Sequence, residues 1–207
     1  MIITISRQFG AGGSAVAART AAALGWSLVD NEIVDQVARR AGLPPAEVAA
    51  HDERVPTFVE RLSRTLAVSS QEFALPVPDA LAALDEPALV RMTEAVVREA
   101  AAHGRVVLVG RAAPVVLGQQ QSTLHVRVVA PPGFRVGQVM ARERVDAKRA
   151  EKLIHEIDVQ RARYHREYYD RDWENPLHYQ MVLNTGVLGL EGAADVVVFR
   201  ARAMGWT

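Results

Sequence analysis

The sequence predicts an α/β fold with a mainly parallel sheet, on three observations. Short β-branched runs alternate with helical patterns from one end of the chain to the other, and strands joined through helices pair in parallel. The run Arg105–Val109 is apolar along most of its length, as a strand covered on both faces should be. No period of roughly 20–50 residues repeats and no second core is visible, so the 207 residues read as one domain.

The elements follow in order. Ile2–Ile5 is β-branched and ends in a glycine-rich turn, which makes it a buried strand. Ser14–Leu24 is alanine-rich and stopped by Gly25, the pattern of a helix. Ser27–Val29 is a brief second strand, and Glu32–Ala41 a helix closed by Gly42 and Pro44–Pro45. Pro56 suits the first turn of another helix running through Phe58, Leu62 and Leu66. Residues 69–86 hold two prolines among Phe73, Leu75, Val77, Leu81 and Leu84, and form either a cover over the core or a homodimer contact. Pro87–His103 is an amphipathic helix stopped by Gly104, followed by the strand Arg105–Val109. Leu124–Val129 is a strand that turns at Pro131–Gly133 into a helix through Met140 and Arg144. Ala147 to Tyr169 is one long charged helix, Gln180–Leu183 the last strand and Leu188–Met204 the closing helix.

Composition excludes several classes of function. The chain has 24 basic and 24 acidic side chains, so no global charge favours nucleic acid or an anionic membrane. It has no cysteine, which removes disulfides, zinc–thiolate sites and thiol nucleophiles together. The N-terminus lacks a signal-peptide pattern and no apolar run approaches the ~20 residues of a membrane span, so a cytoplasmic location is expected. The neutral total hides an asymmetry: residues 1–100 carry 9 Lys/Arg against 13 Asp/Glu, and residues 101–207 carry 15 against 11. No acid falls between Glu99 and Glu143, where Arg105, Arg111, Arg127, Arg135 and Arg142 lie. The only lysines are Lys148 and Lys152, outside the glycine turn. The six histidines make no metal-ligand spacing.

The informative segment is the turn from Ser6 to Ser14, with three glycines in the four positions 10–13. Glycines let a backbone pass close to phosphate oxygens, and the following helix aims its first N–H groups at the same place. Gly10, Gly12, Ala15 and Asp30 satisfy the dinucleotide pattern formally, which would make an NAD(P)-dependent oxidoreductase. That pattern begins almost at the strand's end, however, and here Ser6–Phe9 intervene. The longer mononucleotide arc, G-x-x-x-x-G-K-[ST], uses such residues. Laid on it, Arg7 takes the first glycine's place, Gly12 matches the second, Gly13 stands where lysine belongs, and Ser14 supplies the hydroxyl.

Five segments in order carry a resemblance: ISRQFGAGGSAVA (5–17), LVDNEIV (28–34), VVLVGRAAPVVL (106–117), LHVRVVAPPGFRVGQVMARE (124–143) and DVQRARYHREYYDRDWENPLHYQMVLNTGVLGLE (158–191). Together they resemble the cytidylate-kinase-like family, relatives of bacterial CMP kinase among the nucleoside monophosphate kinases. The resemblance implies a P-loop three-layer fold with a five-stranded parallel sheet, a helical acceptor-binding insertion near 31–86 and a helical lid near 145–178. It implies ATP and Mg2+ as cofactors, nucleotides as partners, and transfer of the γ-phosphoryl group to an acceptor such as CMP.

Carried over by position, Arg7, Gln8, Gly10, Ala11, Gly12, Gly13 and Ser14 would hold the donor's phosphates, with Ser14 also a magnesium ligand. Asp30 and Arg111 would bind the acceptor, and Asp158, Arg161, Arg163 and Arg166 would act on the transferring group. Asn184–Gly186 resembles the turn that touches adenine. Ala112 stands where CMP kinases carry a base-reading aspartate, so the acceptor's base is left open. The tyrosines from Tyr164 to Tyr179 and Trp173 fit lid packing or a subunit contact better than stacking on a base or gripping a single-stranded nucleic acid. A nucleotide-binding protein without catalysis is the second reading.

Overall fold

The computed structural model describes residues 1–30 and 86–206. The helices expected at 32–41 and from Pro56, and the apolar stretch up to residue 85, lie outside them. Strands β1 (Ile2–Arg7), β2 (Ser27–Val29), β3 (Val106–Val109), β4 (Thr123–Val129) and β5 (Met181–Asn184) form one parallel sheet. Its order is β2-β3-β1-β4-β5. The helices are α1 (Gly13–Leu24), α2 (Glu86–Ala102), α3 (Ala113–Leu117), α4 (Pro132–Glu143), α5 (Ala147–Tyr169) and α6 (Thr185–Ala203).

Side chains alternate across each strand, and the two faces bury different helices. Ile3, Ile5, Val107, Val109, Leu124, Val126 and Val128 pack against Val16 and Ala17 of α1 and Ala193, Ala194 and Val197 of α6. On the opposite face Ile2, Val106 and Leu108 meet Val96, Val97 and Ala101 of α2. All four residues of β3 are therefore buried, which is why its sequence shows no alternation. Each such side chain contributes roughly 1.5–3 kcal/mol on burial. Trp26 and Trp206 close the far end of the first cluster, with ring centroids 6.0 Å apart.

β1 runs two residues beyond Ile5. Ser6 and Arg7 pair with Arg127 and Val128 of β4, and a polar pair gives no apolar signal for this. α3 and the short 3₁₀ turn Pro176–His178 carry too few residues to show a period. α6 begins earlier than its pattern indicates: Asn184 caps a first turn by accepting from the Gly186 N–H at 3.0 Å, and a break at Gly189 separates that turn from the regular helix. None of the described helices is long and apolar enough to cross a membrane.

One buried polar pair spans the sheet's centre. His125 of β4 is fully buried, with Nδ1 2.8 Å from the Thr4 hydroxyl and Nε2 2.9 Å from the Gly118 carbonyl. The Nε2–H tautomer donates to Gly118 and lets Thr4 donate to Nδ1. Burial lowers the His125 pKa below its usual 6.5, with Arg171 adding to the shift and the Gly118 hydrogen bond opposing it. The unfolded chain therefore binds a proton that the native state refuses, so this stability is complete above pH 6.5 and falls as pH drops below it. Denaturant unfolding at pH 5 and pH 7 checks this: the loss on acidification should be smaller in His125→Gln than in the wild type. At pH 7 the variant should be less stable by about 1–3 kcal/mol through its disrupted partners.

Candidate functional site

The carboxyl ends of β1, β3 and β4 point to one edge of the sheet, where the chain leaves β1 for α1. In open parallel sheets ligands bind there, where strand order reverses. The turn from Arg7 to Gly13 borders a cleft of about 490 Å³. Gly12 caps α1 in the left-handed region at φ 79°, no side chain caps the helix, and its first turn holds no acid. The first N–H groups of α1 thus present partial positive charge at the cleft. Gly10 also has φ 80°, and a Cβ there would lie 2.8 Å from the Arg135 carbonyl oxygen of α4. Ser14 is exposed at the same mouth, and Asp30 lines it from the end of β2.

The turn is held from outside. Asp158 of α5 accepts the Phe9 N–H at 2.9 Å and pairs with Arg135, whose Nε donates to the Phe9 carbonyl at 2.8 Å. Arg161, one turn further along α5, donates to the Arg7 carbonyl at 3.0 Å and lies 3.8 Å from Asp158. The Phe9 ring lies 4.6 Å below the guanidinium of Arg142 and 5.9 Å from that of Arg161. From the opposite side the buried Thr185 hydroxyl donates to the Ala11 carbonyl at 2.7 Å. Gln8 Oε1 accepts the Ala130 N–H at 3.2 Å, which joins the turn to the end of β4.

Arg111 follows β3 in a turn where Gly110, Arg111 and Ala112 all have left-handed φ, at 73°, 58° and 50°. The Gly110 N–H donates to Ile5 at 3.0 Å, so this turn is fastened to β1. Burial, and then the charge of Arg7, push the Arg111 pKa down to about 9, with Arg161 adding and Tyr164 and Asp30 opposing. The charges of Arg7, Arg161 and Asp30 thus act on Arg111, and Arg111 and Arg161 are buried. Desolvated like charges repel, and an anion of two or more charges relieves them.

The sequence-derived site divides accordingly. Arg7, Gln8, Gly10, Gly12, Gly13, Ser14, Asp30 and Arg161 line the cleft, and Arg111 stands close enough to feel their charge. Ala11 is buried, and its carbonyl serves Thr185. Asp158 and Arg161 brace the turn's backbone, a role their spacing on a helix did not reveal. Arg163 and Arg166 are exposed and line no part of the cleft; Arg163 pairs with Glu167 at 2.6 Å. Phe9, Gln138, Arg142 and Leu190 belong to the cleft and Arg135 to its brace. The acid-free stretch of arginines was the one sign of Arg135 and Arg142. Trp173 and Tyr179 stack on the buried Arg127, at 4.1 and 5.6 Å, and Trp173 donates to Ser6 at 2.9 Å. Those rings are packing, as their spacing indicated.

Residues 2–187 match the family described as "Cytidylate kinase-like family". The chain belongs to the cytidylate kinase-like family. It is 27% identical to a cytidylate kinase of Natronomonas pharaonis over 201 residues, covering 95% of this chain and 87% of that protein. An uncharacterized protein from Eubacterium ventriosum has a similar structure, with TM-score 0.70, 20% identity and coverage of 98% of this chain and 99% of the other. A shikimate kinase from Acinetobacter baumannii, solved with shikimate, matches at TM-score 0.54 and 14% identity over 98% and 93%. The five-stranded parallel sheet and these neighbours make the fold that of a P-loop kinase.

The brace makes a stability prediction. Asp158→Ala strips two mostly buried arginines of their carboxylate and leaves the Phe9 N–H without its acceptor. It should cost about 3 kcal/mol in denaturant unfolding, whereas Arg163→Ala, which breaks an exposed pair, should cost no more than about 0.5 kcal/mol.

Proposed function

We propose that the protein is an ATP-dependent phosphotransferase of the nucleoside monophosphate kinase type. The observation that carries this reading is the convergence of the uncapped α1 N-terminus, Arg7 and Arg161 on one cleft. Backbone N–H groups of the turn and α1 would bind the donor's phosphates, and guanidinium groups would spread positive charge over the transferring oxygens. The brace of Asp158, Arg135 and Arg161 fixes the turn before substrate arrives, so no reorganisation is needed at the moment of transfer. An acceptor oxygen forms a new bond to the γ-phosphorus as the bond to the β–γ bridging oxygen breaks, and ADP leaves with that electron pair.

Arg111, just after the neighbouring strand β3, would receive the acceptor's phosphate. Ala112 packs with Val90 and Tyr164 in an apolar cluster, so the base of CMP would have to be read by other groups. CMP is nonetheless the first acceptor to test, given the relative named cytidylate kinase. Magnesium fits the residues present: the Ser14 hydroxyl and the Asp30 carboxylate share the cleft, and this ion keeps most of its waters and needs few protein ligands. When bound it would neutralise charge on the phosphate oxygens. No group of three or more His, Cys, Asp or Glu that could hold a metal occurs among the described residues. The dinucleotide reading sits poorly with a turn whose glycines begin three residues after the end of β1.

A coupled ADP-release assay with Mg–ATP and a panel of CMP, dCMP, UMP, AMP and GMP tests the proposal. One monophosphate should accelerate ADP release, and Arg161→Ala should lower kcat by roughly 10²–10³-fold. Equal rates across the panel, with ATP binding intact, would instead support the non-catalytic nucleotide-binding reading.

A further inference from the structure

Gly13 has an ordinary helical backbone; among the described residues it is absent from those with positive φ. Its conformation therefore does not call for glycine. The reason lies in space. A Cβ built on Gly13 would stand 2.5 Å from Arg7 Cβ, 2.7 Å from Cγ and 3.4 Å from Cδ. The stem of Arg7 occupies the path that any side chain at position 13 would take from its first atom. Position 13 is where the G-x-x-x-x-G-K-[ST] arc places its lysine.

We infer that Arg7 and Gly13 are an exchanged pair: the phosphate-contacting cation of this loop starts from the first position of the arc and passes over Gly13 to where a lysine at position 13 would reach. The inference rests on the kinase reading above and assigns the loop's cation within it. Arg7 lines the cleft beside Gly12, Gly13 and Ser14. Its charge is also the largest electrostatic cause, after burial, acting on Arg111. The ligand it fits is a polyphosphate, whose paired oxygens match a guanidinium fork better than a single ammonium.

The exchange has a strict corollary. Arginine at 7 excludes a side chain at 13, because the contact is with Cβ and Cγ, which the backbone and first torsion fix. Lysine at 13 requires a small residue at 7. The double substitution Arg7→Gly with Gly13→Lys writes G-Q-F-G-A-G-K-S across residues 7–14, the standard arc.

Calorimetry with Mg–ATP and with inorganic tripolyphosphate, alongside thermal melting, decides the matter across the wild type, Arg7→Gly, Gly13→Lys and the double variant. Each single variant should lose about 10–100-fold in affinity for both probes, and the double variant should return to within about tenfold of the wild type. Gly13→Lys should also melt lower than the double, since removing Arg7 relieves its collision. Wild-type affinity in Arg7→Gly, a double variant no tighter than Arg7→Gly, or a double that melts below Gly13→Lys would overturn the exchange while leaving the kinase reading intact. A wild type that binds neither probe would overturn both.

Discussion

The turn from Arg7 to Gly13 must hold its shape so that the first N–H groups of α1 face the cleft, yet three of its seven residues are glycines with no side chain to fix it. The Asp158 carboxylate resolves this conflict. It takes the Phe9 N–H directly and holds Arg135, which in turn takes the Phe9 carbonyl. Arg161 adds the Arg7 carbonyl, and Thr185 fixes the Ala11 carbonyl from the other side. Four elements, β1, α4, α5 and α6, are thereby tied to one short turn, and the Arg7, Phe9 and Ala11 carbonyls are bonded by these partners. The α1 N-terminus, Arg7 and Arg161 face the cleft as positive groups beside the Asp30 carboxylate.

The same arrangement explains the arginine-rich second half of the chain. A carboxylate in the brace would be wasted if the arginines were only solvated surface charge, but Arg111, Arg127, Arg135 and Arg161 are all buried. Arg127 is satisfied by the Trp173 carbonyl at 2.7 Å and by two aromatic faces, and anchors the segment after α5 onto β4. Arg135 and Arg161 share Asp158. Burial pushes the Arg111 pKa down to about 9, with the charges of Arg7 and Arg161 adding to the shift and Tyr164 and Asp30 opposing it.

Much of the fold was legible because parallel strands covered on both faces leave apolar runs, and helices between them leave a period. β2 and α5 fall where the sequence places them, and the other strand ends differ by a residue or two for a local reason such as the Ser6–Arg7 pairing with β4. The glycine turn was legible because a plain strand-to-helix turn seldom needs three glycines in four positions. The brace was not. Phe9 and Asp158 lie 149 positions apart and Arg7 and Arg161 lie 154 apart, and no local pattern encodes contacts at that separation. Arg163 and Arg166 resembled Arg161 in sequence, but two and five positions along α5 separate a buried face from an exposed one. The meaning of Gly13 was hidden for a different reason: an absent side chain shows its purpose only beside the neighbour that fills its space.

The proposed kinase function requires a polyphosphate to bind at the N–H groups of the β1–α1 turn, gripped by arginine. Amide hydrogen exchange with and without Mg–ATP tests it most directly, since it reads those N–H groups themselves. Added protection should concentrate at Gly10–Val16 and at the α5 turn around Arg161. Protection elsewhere in the chain, with exchange at Gly12, Gly13 and Ser14 unchanged under saturating ATP, would contradict it.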